Sequence, residues 1–281
     1  MSVELLRETL IERERAFNAD RWNAGLDERK RGEAEFHDEW RDPELVAVHE
    51  ATQTNSKYYA IRGTSEAHTD RWIRENARGS VFLDYCCGEG KKTVEAARSG
   101  ARLAIGIDLS PTSIDLGRRR AKAAGVSSNT QFIVGDSEDT GLPTNSIDRV
   151  LAYGVLHHLD LTRAFPEIQR LLAPSGRLYA MEPLIYNPVL QIYRRMTPKL
   201  RTEWEKNHIL SLETLRLARH FFAVENVRYW HILGVLAAPF RRTPLWRPAL
   251  AVGNAVDAIL QRTPGVQLMA WSFSFELVKK G

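Results

Sequence analysis

From residue 80 onward the sequence changes rhythm, and that change constrains the fold more than any other feature. Short β-branched or apolar runs at 80–85, 102–107, 131–134, 147–152 and 176–182 alternate with stretches of helical spacing at 92–99, 111–124 and 161–172. Alternation of this kind predicts an α/β domain, a mostly parallel sheet with helices on both faces. Strand runs that are apolar throughout suit burial from both sides. Two more strands are expected at 222–230 and 270–278, bringing the sheet to seven. About forty residues separate that last pair, far more than a hairpin needs.

The flanks read differently. Residues 1–76 are helical and charged, an N-terminal cap with breaks at Gly25, Gly32, Pro43 and Gly63. Val3, Leu6, Leu10 and Phe17 recur there at the spacing of a surface helix. The binding core is expected over 77–183. Residues 184–281 then supply helical inserts and the final two strands on the substrate side. Within them 184–220 reads as helical, irregular over 188–198, with a helix cap at Ser211. The late insert has apolar helical faces at Leu250, Val252, Val256, Ile259 and Leu260.

Composition excludes several classes. No apolar run approaches the roughly 18 residues of a membrane helix; the longest, at 232–240, contains Gly234 and Pro239. The start lacks the basic residues and apolar run of a secretory leader, and the 2 cysteines are neighbours, Cys86 and Cys87. Both observations predict a cytoplasmic protein. With 39 cations against 35 anions, the balance is too even to call for nucleic acid. The arginine excess over 194–247 is either a solvated face or the recognition of an acidic group.

Chemistry concentrates at the ends of the expected strands. The first ends in Asp84, and the turn that follows carries Gly88 and Gly90, residues that let backbone approach a ligand closely. The second ends at Asp108, 20 residues beyond Gly88, where a carboxylate can accept the hydroxyl protons of a ribose. The third delivers Asp136 to the same edge, suited to an adenine amino group, and the fourth delivers Tyr153, His157 and His158. Ligands in open α/β sheets bind outside the carboxyl ends of strands, so four strands serve one crevice. No spaced Cys or His set completes a zinc site, and no metal is expected.

The pieces Leu83-Asp84-x-Cys86-Cys87-Gly88-Glu89-Gly90, Gly106-Ile107-Asp108-Leu109-Ser110, Gly135-Asp136, Leu156-His157-His158-Leu159 and Leu171-Leu172-Ala173-Pro174-Ser175-Gly176 resemble class I S-adenosylmethionine-dependent methyltransferases. The likeness is to the branch that acts on ubiquinone precursors and natural products. It implies a Rossmann-like fold and S-adenosylmethionine as cofactor. Asp84, Cys86, Cys87, Gly88 and Gly90 would line the methionine portion, and Asp108 and Leu109 the ribose and one adenine face. Asp136 and Ser137 would meet the adenine edge, Tyr153 and His158 the sulfonium side, and Tyr58 and Tyr59 would close over the cofactor carboxylate. Two departures stand out: Cys86 where the family has glycine, and Ser175 where it has the first glycine of Pro-Gly-Gly.

His157 is the leading candidate for a general base, since imidazole titrates near neutrality, and Glu182 at the end of strand five is the second. The Asp/Asn-Pro-Pro-aromatic motif of nucleic-acid amino methyltransferases is replaced by Tyr153-Gly154-Val155-Leu156. A small, largely apolar metabolite is therefore expected, an isoprenoid, quinone-like or other natural-product acceptor methylated at carbon or oxygen; the arginine excess leaves room for an acidic or phosphate handle on it. A homo-oligomer through the N-terminal helix or the late insert is left open. The competing readings are a non-catalytic adenosylmethionine-binding module and a nicotinamide-dependent oxidoreductase. Against the latter, Thr93 stands where the dinucleotide pattern requires its last glycine.

Overall fold

The computed structural model describes residues 2–39 and 60–280, with Lys199 described in its backbone alone. Five strands are parallel: β1 (Val81–Tyr85), β2 (Leu103–Asp108), β3 (Thr130–Val134), β4 (Ile147–Tyr153) and β5 (Leu172–Pro183). β6 (Phe222–Trp230) and β7 (Ser272–Lys279) add to the same sheet antiparallel. The order is β3-β2-β1-β4-β5-β7-β6. The chain steps from β1 outward to β3 and then back across to β4, which opens a crevice at the carboxyl ends of β1 and β4.

Alternate residues of each strand feed opposite layers, as the period of two requires. Leu83, Ile105, Val150 and Leu178 pack with Phe165 and Ile168 of α7 (Leu161–Leu171) and with Leu6 and Leu10 of α1 (Val3–Ala16). Phe82, Ala104, Leu151 and Tyr179 pack instead with Trp72 and Ile73 of α4 (Gly63–Ala77) and Ala96 of α5 (Lys91–Arg98). Beyond them α6 (Pro111–Ala123) buries Ile114 against Phe132 of β3. Its start is defined by Ser110, whose side chain accepts from Ser113 N, and by Pro111 in the first turn.

Several boundaries differ from expectation. Gly32 lies inside α3 (Glu28–Glu39), which follows α2 (Ala19–Gly25), so it makes no break. A glycine costs a helix about 1 kcal/mol, and the ion pairs that Arg29 and Lys30 make with the sheet edge outweigh that. The irregular stretch expected over 188–198 is largely helical, α8 (Pro188–Met196). Asn187 caps it through Val189 N and Leu190 N, and Pro188 sits at the first position, where its missing N–H is no loss. Two short helices follow, α9 (Glu203–His208) and α10 (Leu212–Ala218). The latter starts from the expected Ser211, in a reciprocal capping box with Thr214. The late insert holds one helix, α11 (Trp246–Leu260), between 3₁₀ turns at Gly234–Phe240 and Val266–Met269. Among the described residues no helix is long and apolar enough to cross a membrane.

Candidate active site

The turn after β1 is built on left-handed backbone. Gly88 and Gly90 have φ of 50° and 69°, and Cys86 has 55° despite its side chain. A Cβ on Gly90 would lie 2.4 Å from the Phe132 ring, so that position tolerates glycine alone. Cys86 bears the strain, of order 1 kcal/mol, and its thiol reaches Ser137 Oγ at 3.2 Å. Ser175 is left-handed as well, at 62°. Both departures from the resembled pattern thus fall where backbone geometry favours glycine.

Three strand-end carboxylates meet this turn. Asp84 is buried and accepts from Thr93 Oγ1 at 2.7 Å. Burial pushes its pKa up to about 7, against the pull of the Thr93 hydroxyl and the Lys92 ammonium. Asp108 accepts from Gly88 N at 2.8 Å through one oxygen and from Ser110 N at 3.0 Å through the other, pinning the glycine turn to the end of β2. Asp136 accepts from Glu138 N at 2.8 Å and faces Lys30 Nζ at 2.6 Å. Leu109 and Ser137 also enter this lattice through main-chain oxygens, which accept from Trp22 Nε1 and the Tyr85 hydroxyl.

Lys30 belongs to α3, which lies across the crevice. Arg29 pairs with Glu138 at 2.6 Å, and Glu33 with His158 Nδ1 at 2.9 Å. For His158, burial alone would lower the pKa; the Glu33 carboxylate overcomes it and holds the imidazole above its ordinary value. Glu33, in turn, would be raised by burial but is held below the usual range by His158 and Thr202. Beneath α3 is a chamber of about 220 Å³ bordered by Cys86, Asp108, Leu109, Asp136, Gly154 and His158.

A second cavity, about 500 Å³, meets the first at His37, Gly154 and His158. Gly154 has φ of 69°, and a Cβ there would meet nothing within 4 Å. The backbone at the junction is therefore bare where two ligands would approach. Beside it His157 Nδ1 lies 2.7 Å from Glu182 Oε2, while Glu182 Oε1 accepts from Val155 N at 2.8 Å and Leu156 N at 2.9 Å. Glu182 therefore fixes both the ring and the loop that carries it, leaving His157 Nε2 directed at Glu205, 3.9 Å away. Arg194 and Arg201 line the same cavity, with Leu190, Leu200, Ile209 and Trp271 supplying apolar wall. Burial, with neighbouring Arg201, pulls the Arg194 pKa down to about 10.

Tyr153 stands at the end of β4 with its hydroxyl 2.6 Å from Arg62 Nη2, and burial raises its pKa against that guanidinium. Cys87 packs with Val94 and Phe132. Tyr58 and Tyr59 lie outside the described residues. Two groups, Glu33–His37–His158 and His157–His158–Glu205, hold potential ligand atoms within 4.8 Å of one another; hydrogen bonds to Glu33 and Glu182 already knit them. Lys30, Glu33 and Glu205 escaped the reading of the sequence, whereas Arg194 and Arg201 belong to the arginine excess it singled out. The first three are single charged residues on helices with no motif around them.

Residues 83–180 match the protein family described as Methyltransferase domain. The core is a class I S-adenosylmethionine-dependent methyltransferase domain. Demethylmenaquinone methyltransferase of Symbiobacterium thermophilum is 29% identical over 127 residues, 42% of this chain and 51% of that protein. Ribosomal protein L11 methyltransferase of Tolumonas auensis is 24% identical over 168 residues, 59% and 58% of the two chains. The chain thus spans little more than half the length of either relative. The solved structure of geranyl diphosphate C-methyltransferase from Streptomyces coelicolor A3(2) shares the fold, with a TM-score of 0.53 at 18% identity over 81% of this chain and 84% of that one. S-adenosylmethionine is the cofactor of the methyltransferase domain, and the donor set suits it: carboxylates for hydroxyl and amino groups, and a glycine turn that backbone can bring close.

Proposed function

We propose that this chain methylates a small, largely apolar acceptor that carries an acidic group, with His157 as general base. One observation carries the reading: the 500 Å³ cavity and the chamber under α3 share His37, Gly154 and His158 as walls, and the His157–Glu182 pair lines the larger of the two. Asp84 and the turn Cys86, Cys87, Gly88 and Gly90 hold the methionine portion, Asp108 and Leu109 the ribose, and Asp136 and Ser137 the adenine edge. His158 and Tyr153 shape the sulfonium side. S-adenosylmethionine supplies an electrophilic methyl group on a sulfonium; the protein aligns the acceptor with it and excludes water.

Glu182 acts through His157. With one oxygen on Nδ1 and the other on two backbone N–H groups, it fixes the tautomer whose Nε2 can take a proton from the acceptor. Arg194 and Arg201 suit an anionic handle such as a phosphate or carboxylate. The geranyl diphosphate and demethylmenaquinone enzymes, named for acceptors of this general kind, support the class. The L11 relatives favour a protein acceptor instead, but a concave site with apolar wall from Leu190, Leu200 and Ile209 suits a small molecule better.

The decisive assay is transfer of labelled methyl from S-adenosylmethionine into a panel of prenylated, quinone-like and acidic metabolites. His157→Ala should lower kcat by about 10²–10⁴-fold with cofactor affinity retained, and Arg194→Gln should raise KM for anionic acceptors only. Full turnover in both His157→Ala and Glu182→Gln would remove the base from the mechanism. Absence of transfer to any acceptor despite cofactor binding would favour a binding module.

A further inference from the structure

Helix α11 is built inside out. Leu245, Pro248, Val252, Val256 and Ile259 fall on one stripe at helical spacing, the pattern by which a helix normally faces a core. All five are exposed, Val252 and Ile259 at 65% and 70%. Ala251, Ala255 and Ala258 widen the exposed face, and no charge interrupts it from Pro248 to Ile259. The polar residues point inward instead. Asp257 is buried and accepts from Ile232 N at 3.1 Å, Leu233 N at 2.6 Å and Gly234 N at 3.1 Å. Gly253 brings the helix against the Gly234 backbone, where a Cβ would come within 3.1 Å. The adjoining turn exposes Leu236, at 63%, and Phe240. Apolar area of this extent on an outer face calls for an occupant.

Charge identifies which. Across residues 231–269 Asp257 is the sole acid and is buried, whereas Arg242, Arg247 and Arg262 flank the two ends of the stripe and are exposed. A second copy of the chain meeting this face across a two-fold axis would bring both arginine sets together with no carboxylate from either segment. A lipid surface with anionic headgroups satisfies both features at once, taking the stripe into the acyl boundary and the guanidinium groups into the phosphates. Fifteen residues of helix are about 22 Å long, short of the roughly 30 Å of bilayer hydrocarbon. The helix can therefore lie in an interface but not span one.

We propose that the face formed by α11 and the Gly234–Phe240 turn docks the protein on an anionic membrane surface. The proposal is separate from methyl transfer, and its test reads binding alone. The whole chain is floated with vesicles of phosphatidylcholine, with or without roughly one third phosphatidylglycerol. Wild type should float with the anionic vesicles and release as salt is raised. Val252→Asp with Ile259→Asp should cut the bound fraction about tenfold or more, and Arg242→Gln with Arg247→Gln by about fivefold per charge on anionic vesicles only. The altered positions are exposed, so thermal unfolding and S-adenosylmethionine binding should be unchanged; Leu236→Asp, on the neighbouring turn, provides an independent probe. Failure of wild type to bind anionic vesicles at low salt would overturn the proposal. So would equal binding by Val252→Asp/Ile259→Asp, or a dimer that these substitutions dissolve in the absence of vesicles, which would assign the face to a second copy.

Discussion

At the scale of residues, Asp84 has the clearest energetic signature. Its folded pKa of about 7 stands above that of an unfolded aspartate, near 4. The penalty for burying the carboxylate is therefore absent at acid pH and grows as pH rises between those values, reaching roughly a few kcal/mol above neutrality. Asp84→Asn should raise the Tm of the free protein near pH 8, with the gain vanishing by about pH 4. The same change should weaken S-adenosylmethionine binding, read by calorimetry, because a cation at the methionine end loses its counter-charge. Asp84, Asp108 and Asp136 were legible in the sequence because each lies within two residues of a strand's carboxyl end, which local periodicity locates. Lys30 and Glu33 were not, because their partners Asp136 and His158 lie 106 and 125 residues away. On the page of the sequence they are ordinary members of a charged helix.

Among the elements, α3 is held over the crevice largely by ionic contacts, and its docking should respond to pH. The raised His158 pKa contributes stability that is complete below the ordinary histidine value of 6.5 and is lost as pH rises through the folded value. The depressed Glu33 contributes above the ordinary value of 4.5 and fails as pH falls through its own folded value. Protection factors of α3 amides, corrected for intrinsic exchange, should therefore be greatest between these limits and smaller at about pH 9 than at about pH 6; Glu33→Gln should flatten that difference. Gly32→Ala should stabilise the helix by about 1 kcal/mol in denaturant titrations, since an added Cβ there meets nothing within 4 Å. The sequence led one to expect a break at Gly32 and irregularity after Pro188 because local propensity was given too much weight. In the first case tertiary ion pairs override it, and in the second Pro188 begins a helix under the Asn187 cap. Strands β1 to β4, by contrast, lie close to their expected bounds, while β5 begins at Leu172, four residues before its expected start. The inner strands β1 and β2 are buried along their whole length, which keeps their runs largely apolar.

For the molecule as a whole, the sheet is continuous while the attachments differ in how they are fastened. The late insert hangs on Asp257, whose carboxylate takes three backbone N–H groups. Asp257→Ala leaves those donors without a partner, at about 1–3 kcal/mol for each buried group. Limited proteolysis should then cut within residues 231–269 about tenfold faster or more, with β1–β5 as resistant as before; uniform resistance would mean that packing alone secures the insert.

The strand order also sets a schedule for synthesis. β1 to β5 can pair as they leave the ribosome, each against a strand already made. β6 cannot, since the place beside β5 belongs to β7, made only after residues 231–271 have followed. Until then β6 is a strand without a neighbour, and α11, the most apolar helix among the described residues, trails behind it. The nascent protein therefore passes through an interval in which the cofactor half is formed and an open sheet edge is exposed, the interval in which a chaperone or a lipid surface would matter most.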